Sequence, residues 1–309
     1  MRGEQVSTAR SVEAPSRATG DQWLQGARPR TLPAAVAPVV VGSAVALSAG
    51  GFSPVRAVLA LVVSLALQVG VNYANDYSDG IRGVDADRVG PLRLVGSGLA
   101  RPAAVRQAAF SCFAVAAVAG LVLVALSGQW WLLAVGAASV AAAWYYTGGK
   151  RPYGYLGLGE VFVFVFFGLV AVCGTTLVQL GRVTVTAGVG SVGIGALACA
   201  LLVANNLRDI TGDRLVGKRT LATRLGAPRT RALYASLVAL ALVALVVLAA
   251  LTTWWALLGL VGMAIILPAT RSVLSGAAGP ALIGVLKATG VGELTYAVGI
   301  FVGFIAGAL

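Results

Sequence analysis

Residues 184–213 read TVTAGVGSVGIGALACALLVANNLRDITGD. From Val185 to Ala204 no side chain carries a charge. About 20 such residues, rising 1.5 Å each as a helix, span the roughly 30 Å hydrocarbon core of a bilayer. The run then breaks into Asn205-Asn206-Leu207-Arg208-Asp209, with Asp213 one turn further on. A second apolar run ends alike, in Val71-Asn72-Tyr73-Ala74-Asn75-Asp76-Tyr77-Ser78-Asp79, followed by Asp85 and Asp87. The chain has 11 acidic residues, and most of them sit in these two places. Carboxylates beside a membrane are costly unless something binds them.

Working outward, the same apolar texture recurs along the chain. Hydrophobic residues make up 58% and charged residues 11%, against about 25% charged in a soluble domain. In lipid only helices or closed barrels span. Barrel strands are about ten residues long and alternate, and these runs do neither. The expected fold class is an all-α polytopic membrane protein. Spans are predicted at 31–49, 56–74, 103–126, 129–147, 157–180, 184–206, 231–251, 254–272 and 291–309, about nine in all. Residues 273–290 read as a loop with a short helix. Residues 1–20 are polar and aperiodic and read as a disordered cytoplasmic tail, without the apolar core of a cleaved leader. Residues 21–309 read as a single transmembrane domain.

Nine spans with a cytoplasmic N-terminus put 1–30, 75–102, 148–156, 207–230 and 273–290 on the inner face. Of the 23 Lys and Arg, only Arg56 and Arg182 then face outward. This asymmetry is the positive-inside pattern. It also explains the net charge of +12 without a nucleic-acid partner. Both aspartate clusters fall on the same face, at helix C-termini, where the helix dipole favours a cation.

The chain has no histidine, which excludes imidazole bases and Ser-His-Asp chemistry. Cys112, Cys173 and Cys199 stand singly inside apolar runs and read as small core residues. The remaining hard oxygen ligands suit Mg²⁺. Asn75 and Asp79 are four residues apart, as are Asp209 and Asp213, so each pair shares a helix face. Two such faces, opposed, would hold Mg²⁺ ions whose shells are completed by water and substrate phosphates. Asp76 reads as a further ligand or as an orienter of the ligands. Arg82, Arg88, Arg93, Arg208, Arg214, Lys218, Arg219 and Arg224 surround the clusters with phosphate-binding charge. Lys150, in Tyr146-Thr147-Gly148-Gly149-Lys150-Arg151-Pro152-Tyr153-Gly154-Tyr155, is placed to meet a departing phosphate. Arg28 and Arg30 precede the first span as interface anchors or anion contacts. Glu160 lies just inside the fifth span, an expensive place for a charge.

These motifs resemble those of the UbiA superfamily of intramembrane prenyltransferases. Asn75 to Asp79 matches its N-D-x-x-D motif, Asp209 to Asp213 its D-x-x-x-D motif and Tyr146 to Lys150 its Y-x-x-x-K element. Arg28-Pro29-Arg30-Thr31-Leu32-Pro33, Gly83-Val84-Asp85 and Gly217-Lys218-Arg219-Thr220-Leu221 are similar to the 1,4-dihydroxy-2-naphthoate prenyltransferase branch. Many members carry a third aspartate where this chain has Gly83. The resemblance covers residues 20–309 and implies a helix bundle around a central cavity open to membrane lipid. It implies Mg²⁺ on Asn75, Asp79, Asp209 and Asp213, with a polyprenyl diphosphate held by Arg82, Lys150, Arg208, Lys218 and Arg219. Asp76, Asp79, Lys150, Asp209 and Asp213 would carry the chemistry, and Arg28, Arg30, Tyr146, Tyr153 and Glu160 would surround the acceptor, 1,4-dihydroxy-2-naphthoate. Phe162, Phe164, Phe166 and Phe167 are candidates for a tunnel lining. A bacterial cell membrane is the implied location. Other aromatic acceptors, such as 4-hydroxybenzoate, fit the same motifs. A secondary transporter also has twin polar motifs, but its sites lie at the midplane, whereas these lie at one face.

Overall fold

The computed structural model describes residues 18–83 and 92–309. The expectations for Asp85, Asp87, Arg88 and residues 1–17 concern positions outside that set. The described chain is all-helical. Helix α1 (Gly20–Ala27) and α2 (Pro33–Ser48) form a pair bent by 50°. They are followed by α3 (Pro54–Ile81), α4 (Pro102–Ser127) and α5 (Leu132–Tyr145). Helix α6 (Gly159–Val163) continues through a π-helical stretch, Phe164–Cys173, into α7 (Gly174–Leu180), making one span. Then come α8 (Val185–Leu215), α9 (Leu221–Leu251), α10 (Leu260–Leu274) and α11 (Leu282–Ala306).

Local chemistry sets these limits. Ser53 caps α3, Thr184 caps α8 and Thr220 caps α9, each side-chain oxygen accepting a first-turn N–H. Such caps satisfy donors that a helix start leaves unpaired. Among the described residues, 7 helices are long and apolar enough to cross a membrane, and the bent pair makes up to 8. The chain is a multi-pass membrane protein. The predicted segment 129–147 falls short: α5 has 14 residues, about 21 Å of rise. Helix α11 begins well before the predicted span, because Gly284 and Thr289 do not interrupt it. It brings Lys287 into its opening turns.

Helices α3 and α8 run past the predicted span ends at 74 and 206, to Ile81 and Leu215. Asn75, Asp79, Asp209 and Asp213 are therefore all helical. One core joins α2 to α8, α9, α10 and α11, and a second joins α1, α3, α4 and α5. The π stretch lies directly on α8: a Cβ on Gly168 would come within 2.8 Å of the Gly195 Cα. Small residues allow this backbone approach between membrane helices. A cavity remains among these elements.

Candidate active site

The cavity measures about 1590 Å³, above the roughly 300–1,000 Å³ of a pocket for one drug-sized ligand. Its walls come from the α1–α2 bend, α2 to α5, the 159–180 span, α8 and the start of α11. Gln68, Asn72, Asn75 and Asp79 of α3 all line it, at helical spacings that place them on one face. Elsewhere the walls are mainly Leu, Val, Ala and Phe, including Phe162, Phe166 and Phe167.

Asp79 is the hub of the polar end. The Tyr155 hydroxyl donates to its Oδ1 at 2.6 Å. Lys218 Nζ lies 3.5 Å from its Oδ2, and Arg93 Nη2 lies 3.6 Å from the same oxygen. Lys218 Nζ also sits 4.5 Å over the Tyr155 ring. Lys218 is tied back to α8 through its N–H, which donates to the Asp213 carbonyl at 2.8 Å. The ends of α3 and α8 thus meet, and Asp213 and Arg208 line the cavity with Asp79. Burial, reinforced by the Asp79 charge, pushes the Tyr155 phenol up from its ordinary range, so Tyr155 stays a donor at neutral pH. Asn75 Oδ1 accepts the Thr147 hydroxyl at 2.7 Å.

The other expected residues take varied positions. Asp76 is buried, and its carboxylate accepts Leu94 N–H at 2.7 Å and Val95 N–H at 3.0 Å. It anchors the segment that carries Arg93. Asp209 receives two bonds from Arg208, at 2.6 and 2.7 Å, and Arg208 also reaches Asn205 Oδ1 at 2.9 Å. Asp209 therefore orients a cavity-lining arginine. Arg82 donates to the carbonyls of Thr147 and Gly149 and lies over the Tyr155 ring, tying α3 to the loop after α5. Lys150 and Arg219 are exposed and do not line the cavity. Arg28, Arg30, Tyr146 and Tyr153 line it. Tyr153 stacks on Phe162 at 3.9 Å and donates to the Ala142 carbonyl at 2.8 Å. Burial also raises the Tyr153 phenol. Glu160 is buried outside the lining, and its Oε1 accepts from Asn206 at 3.0 Å; Asn206 faces the cavity.

Sequence reasoning did not single out Tyr155, Thr147, Asn206 or Lys287, all of which line the cavity. Tyr155 was visible only as one of three tyrosines in the 146–155 stretch.

The UbiA prenyltransferase family profile matches residues 35–278. The chain belongs to that family. It is 54% identical over 279 residues to the 1,4-dihydroxy-2-naphthoate octaprenyltransferase of Mycobacterium tuberculosis, covering 90% of this chain and 95% of that one. It is 41% identical over 247 residues to the Escherichia coli enzyme of the same name, with 76% and 80% covered. Among solved structures it is similar to a UbiA homolog from Archaeoglobus fulgidus bound to GPP and Mg²⁺, with TM-score 0.62, 13% identity and 92% and 99% covered. The apo UbiA homolog from Aeropyrum pernix K1 gives TM-score 0.65 at 16% identity, with 90% and 98% covered. At such identities these structures bear on the fold of this UbiA family member alone.

The donor set fits a magnesium ion that arrives with phosphate. Asn75, Asp79 and Asp213 offer hard oxygens to the cavity. Among the described residues no three acidic side chains gather around one point. Mg²⁺ does not need such a cage, since it is held by one or two carboxylates plus substrate phosphates and water.

Proposed function

We propose that this protein transfers a polyprenyl group from its diphosphate to 1,4-dihydroxy-2-naphthoate, releasing diphosphate and CO₂ and giving demethylmenaquinol, the hydroquinone form of demethylmenaquinone. The observation that carries the reading is the meeting of Asp79, Asp213, Arg93 and Lys218 at the polar end of a large apolar cavity. The names of the mycobacterial and E. coli relatives support the acceptor.

Asn75, Asp79 and Asp213 would hold Mg²⁺, with Asp209 acting through Arg208. Bound there, the ion supplies Lewis-acid neutralisation of the diphosphate. Arg93, Lys218 and Arg208 bind the diphosphate oxygens, and their charge is greatest in effect as the carbon–oxygen bond breaks and negative charge builds on the leaving group. Lys218 begins on Asp79, so diphosphate entry exchanges one anion for another at the same nitrogen. The prenyl chain lies along the apolar wall, where exclusion of water protects the allylic cation. The ring carbon bearing the carboxylate forms the new bond, and the carboxylate leaves as CO₂ with its bonding pair returned to the ring. Such an electron-rich ring needs little help from a base, consistent with the absence of histidine. The membrane is a bacterial plasma membrane, with the N-terminus and the polar end of the cavity cytoplasmic, as the Lys and Arg distribution supports.

The test is mass spectrometry of products from purified protein given one polyprenyl diphosphate and each candidate acceptor in turn. Demethylmenaquinol, or the quinone it becomes on oxidation in air, is expected from dihydroxynaphthoate, and EDTA is expected to stop turnover reversibly. Product from 4-hydroxybenzoate alone would move the assignment to another acceptor. Full turnover without divalent metal would remove Mg²⁺ from it.

A further inference from the structure

The α1–α2 bend is held by a hydrogen-bond cluster that the proposed chemistry leaves unused. Arg28, at the bend, has φ 56°, a positive value found at no other non-glycine among the described residues. Its carbonyl accepts the Thr31 hydroxyl at 3.0 Å. Gln68 Nε2 donates to Thr31 Oγ1 at 2.9 Å, and Asn72 Nδ2 donates to the same oxygen at 3.0 Å and to the Ala27 carbonyl at 2.9 Å.

A hydroxyl has one hydrogen and two acceptor sites. Arg28 takes the hydrogen, so Thr31 can only accept from the two amides. This fixes the orientation of the Gln68 amide: nitrogen toward Thr31, oxygen away from it. Gln68 lines the cavity and is 7% exposed, and its Oε1 is buried without a hydrogen-bond partner. An unpaired buried acceptor is a cost that native proteins rarely leave standing. A ligand hydroxyl pressed against the wall here would give the oxygen the partner it lacks.

Only one of the two substrates can supply that hydrogen. A polyprenyl diphosphate is hydrocarbon joined to phosphate acceptors. The aromatic acceptor has two phenolic O–H groups. The hydroxyl beside its carboxylate bonds internally to that group, which leaves the opposite hydroxyl unengaged. Gln68 lies seven residues before Asn75, about 10 Å along the helix, beyond the diphosphate region on the same face. We propose that Gln68 is a specificity-determining residue whose amide oxygen accepts the acceptor's carboxylate-remote hydroxyl. This rests on the prenyltransferase reading of the site.

The experiment compares equilibrium binding of 1,4-dihydroxy-2-naphthoate and 1-hydroxy-2-naphthoate to the purified full chain, which requires no turnover of the analogue. Wild type is expected to prefer the dihydroxy ligand by about tenfold or more, the value of one well-made hydrogen bond. Gln68→Leu should bring the two ligands within about twofold, by weakening only the dihydroxy one, and leave KM for the prenyl diphosphate unchanged. Equal weakening of both ligands in Gln68→Leu would reduce Gln68 to a support for the bend and overturn the proposal. Absence of preference in wild type would overturn it without any variant. If wild type gives no product from dihydroxynaphthoate, the functional reading itself falls; if it turns over but Gln68→Leu keeps the full preference, this inference alone falls.

Discussion

Tyr155→Phe is the sharpest probe of how Asp79 is held. The substitution removes one oxygen and keeps the ring under Lys218, whose Nζ lies 4.5 Å from the ring centroid, so the cation–π contact survives. What goes is a 2.6 Å bond from a neutral hydroxyl to Asp79 Oδ1. Hydrogen bonds to charged groups contribute about 1.5–3 kcal/mol. At about 1.4 kcal/mol per factor of ten, kcat/KM for the prenyl diphosphate should fall about 10- to 150-fold if the bond holds Asp79 in its working position. The Mg²⁺ concentration for half-maximal rate should rise with it. Tyr153→Phe is the internal control. Its hydroxyl also has a partner, but that partner is the Ala142 carbonyl, away from Asp79. It should cost about 1 kcal/mol of stability and leave the Mg²⁺ dependence alone. A steady-state assay across Mg²⁺ concentrations, with melting temperatures of both variants, decides it. If Tyr155→Phe stays within twofold of wild type, or falls no further than Tyr153→Phe, the role assigned to the bond is wrong.

Two further outcomes are expected. Asp76→Ala frees the Leu94 and Val95 N–H groups that its carboxylate accepts and should cost about 2–4 kcal/mol of stability, seen as a lower melting temperature, while the residual activity keeps a wild-type Mg²⁺ requirement; a raised requirement at unchanged stability would make Asp76 a metal ligand instead. Glu293 in α11 is fully buried, and neither carboxylate oxygen has a hydrogen-bond partner, so Glu293→Met should raise the melting temperature by a few degrees, and a drop would mean that the acid has a partner or a task.

The fold was legible because hydrophobicity in a bilayer is nearly a direct readout of helices, and the site was legible because acids amid such runs stand out. What the sequence could not show was where each polar side chain turns. Asp76 and Asp79 are three residues apart in one motif, yet one closes on a loop backbone and the other on the cavity. In the 146–155 stretch the motif spacing favours Lys150. The chain folds back there, with Gly154 N–H donating to the Tyr146 carbonyl at 3.0 Å. That turn sends Tyr155 inward and leaves Lys150 outside. Helix α5 was over-extended in the reading because Trp130, Trp131 and Tyr146 continue its apolar texture beyond the helix itself. Gln68, an uncharged residue inside an apolar run, gave no signal until its neighbours from the α1–α2 bend were seen.

The π-helical stretch Phe164–Cys173 has a consequence for how this protein can change. Phe162, Phe166, Val170, Gly174 and Val178 all face the cavity, a four-residue rhythm that a plain α-helix would carry progressively off the face. A change of length there alters the rotation of everything C-terminal to it, by up to about 100° for each residue gained or lost as ordinary helix. Side chains in this wall can be exchanged for others of similar bulk, but its length is under a stricter rule than its composition. Insertions and deletions between 164 and 173 should therefore be far less forgiving than point changes at the same positions.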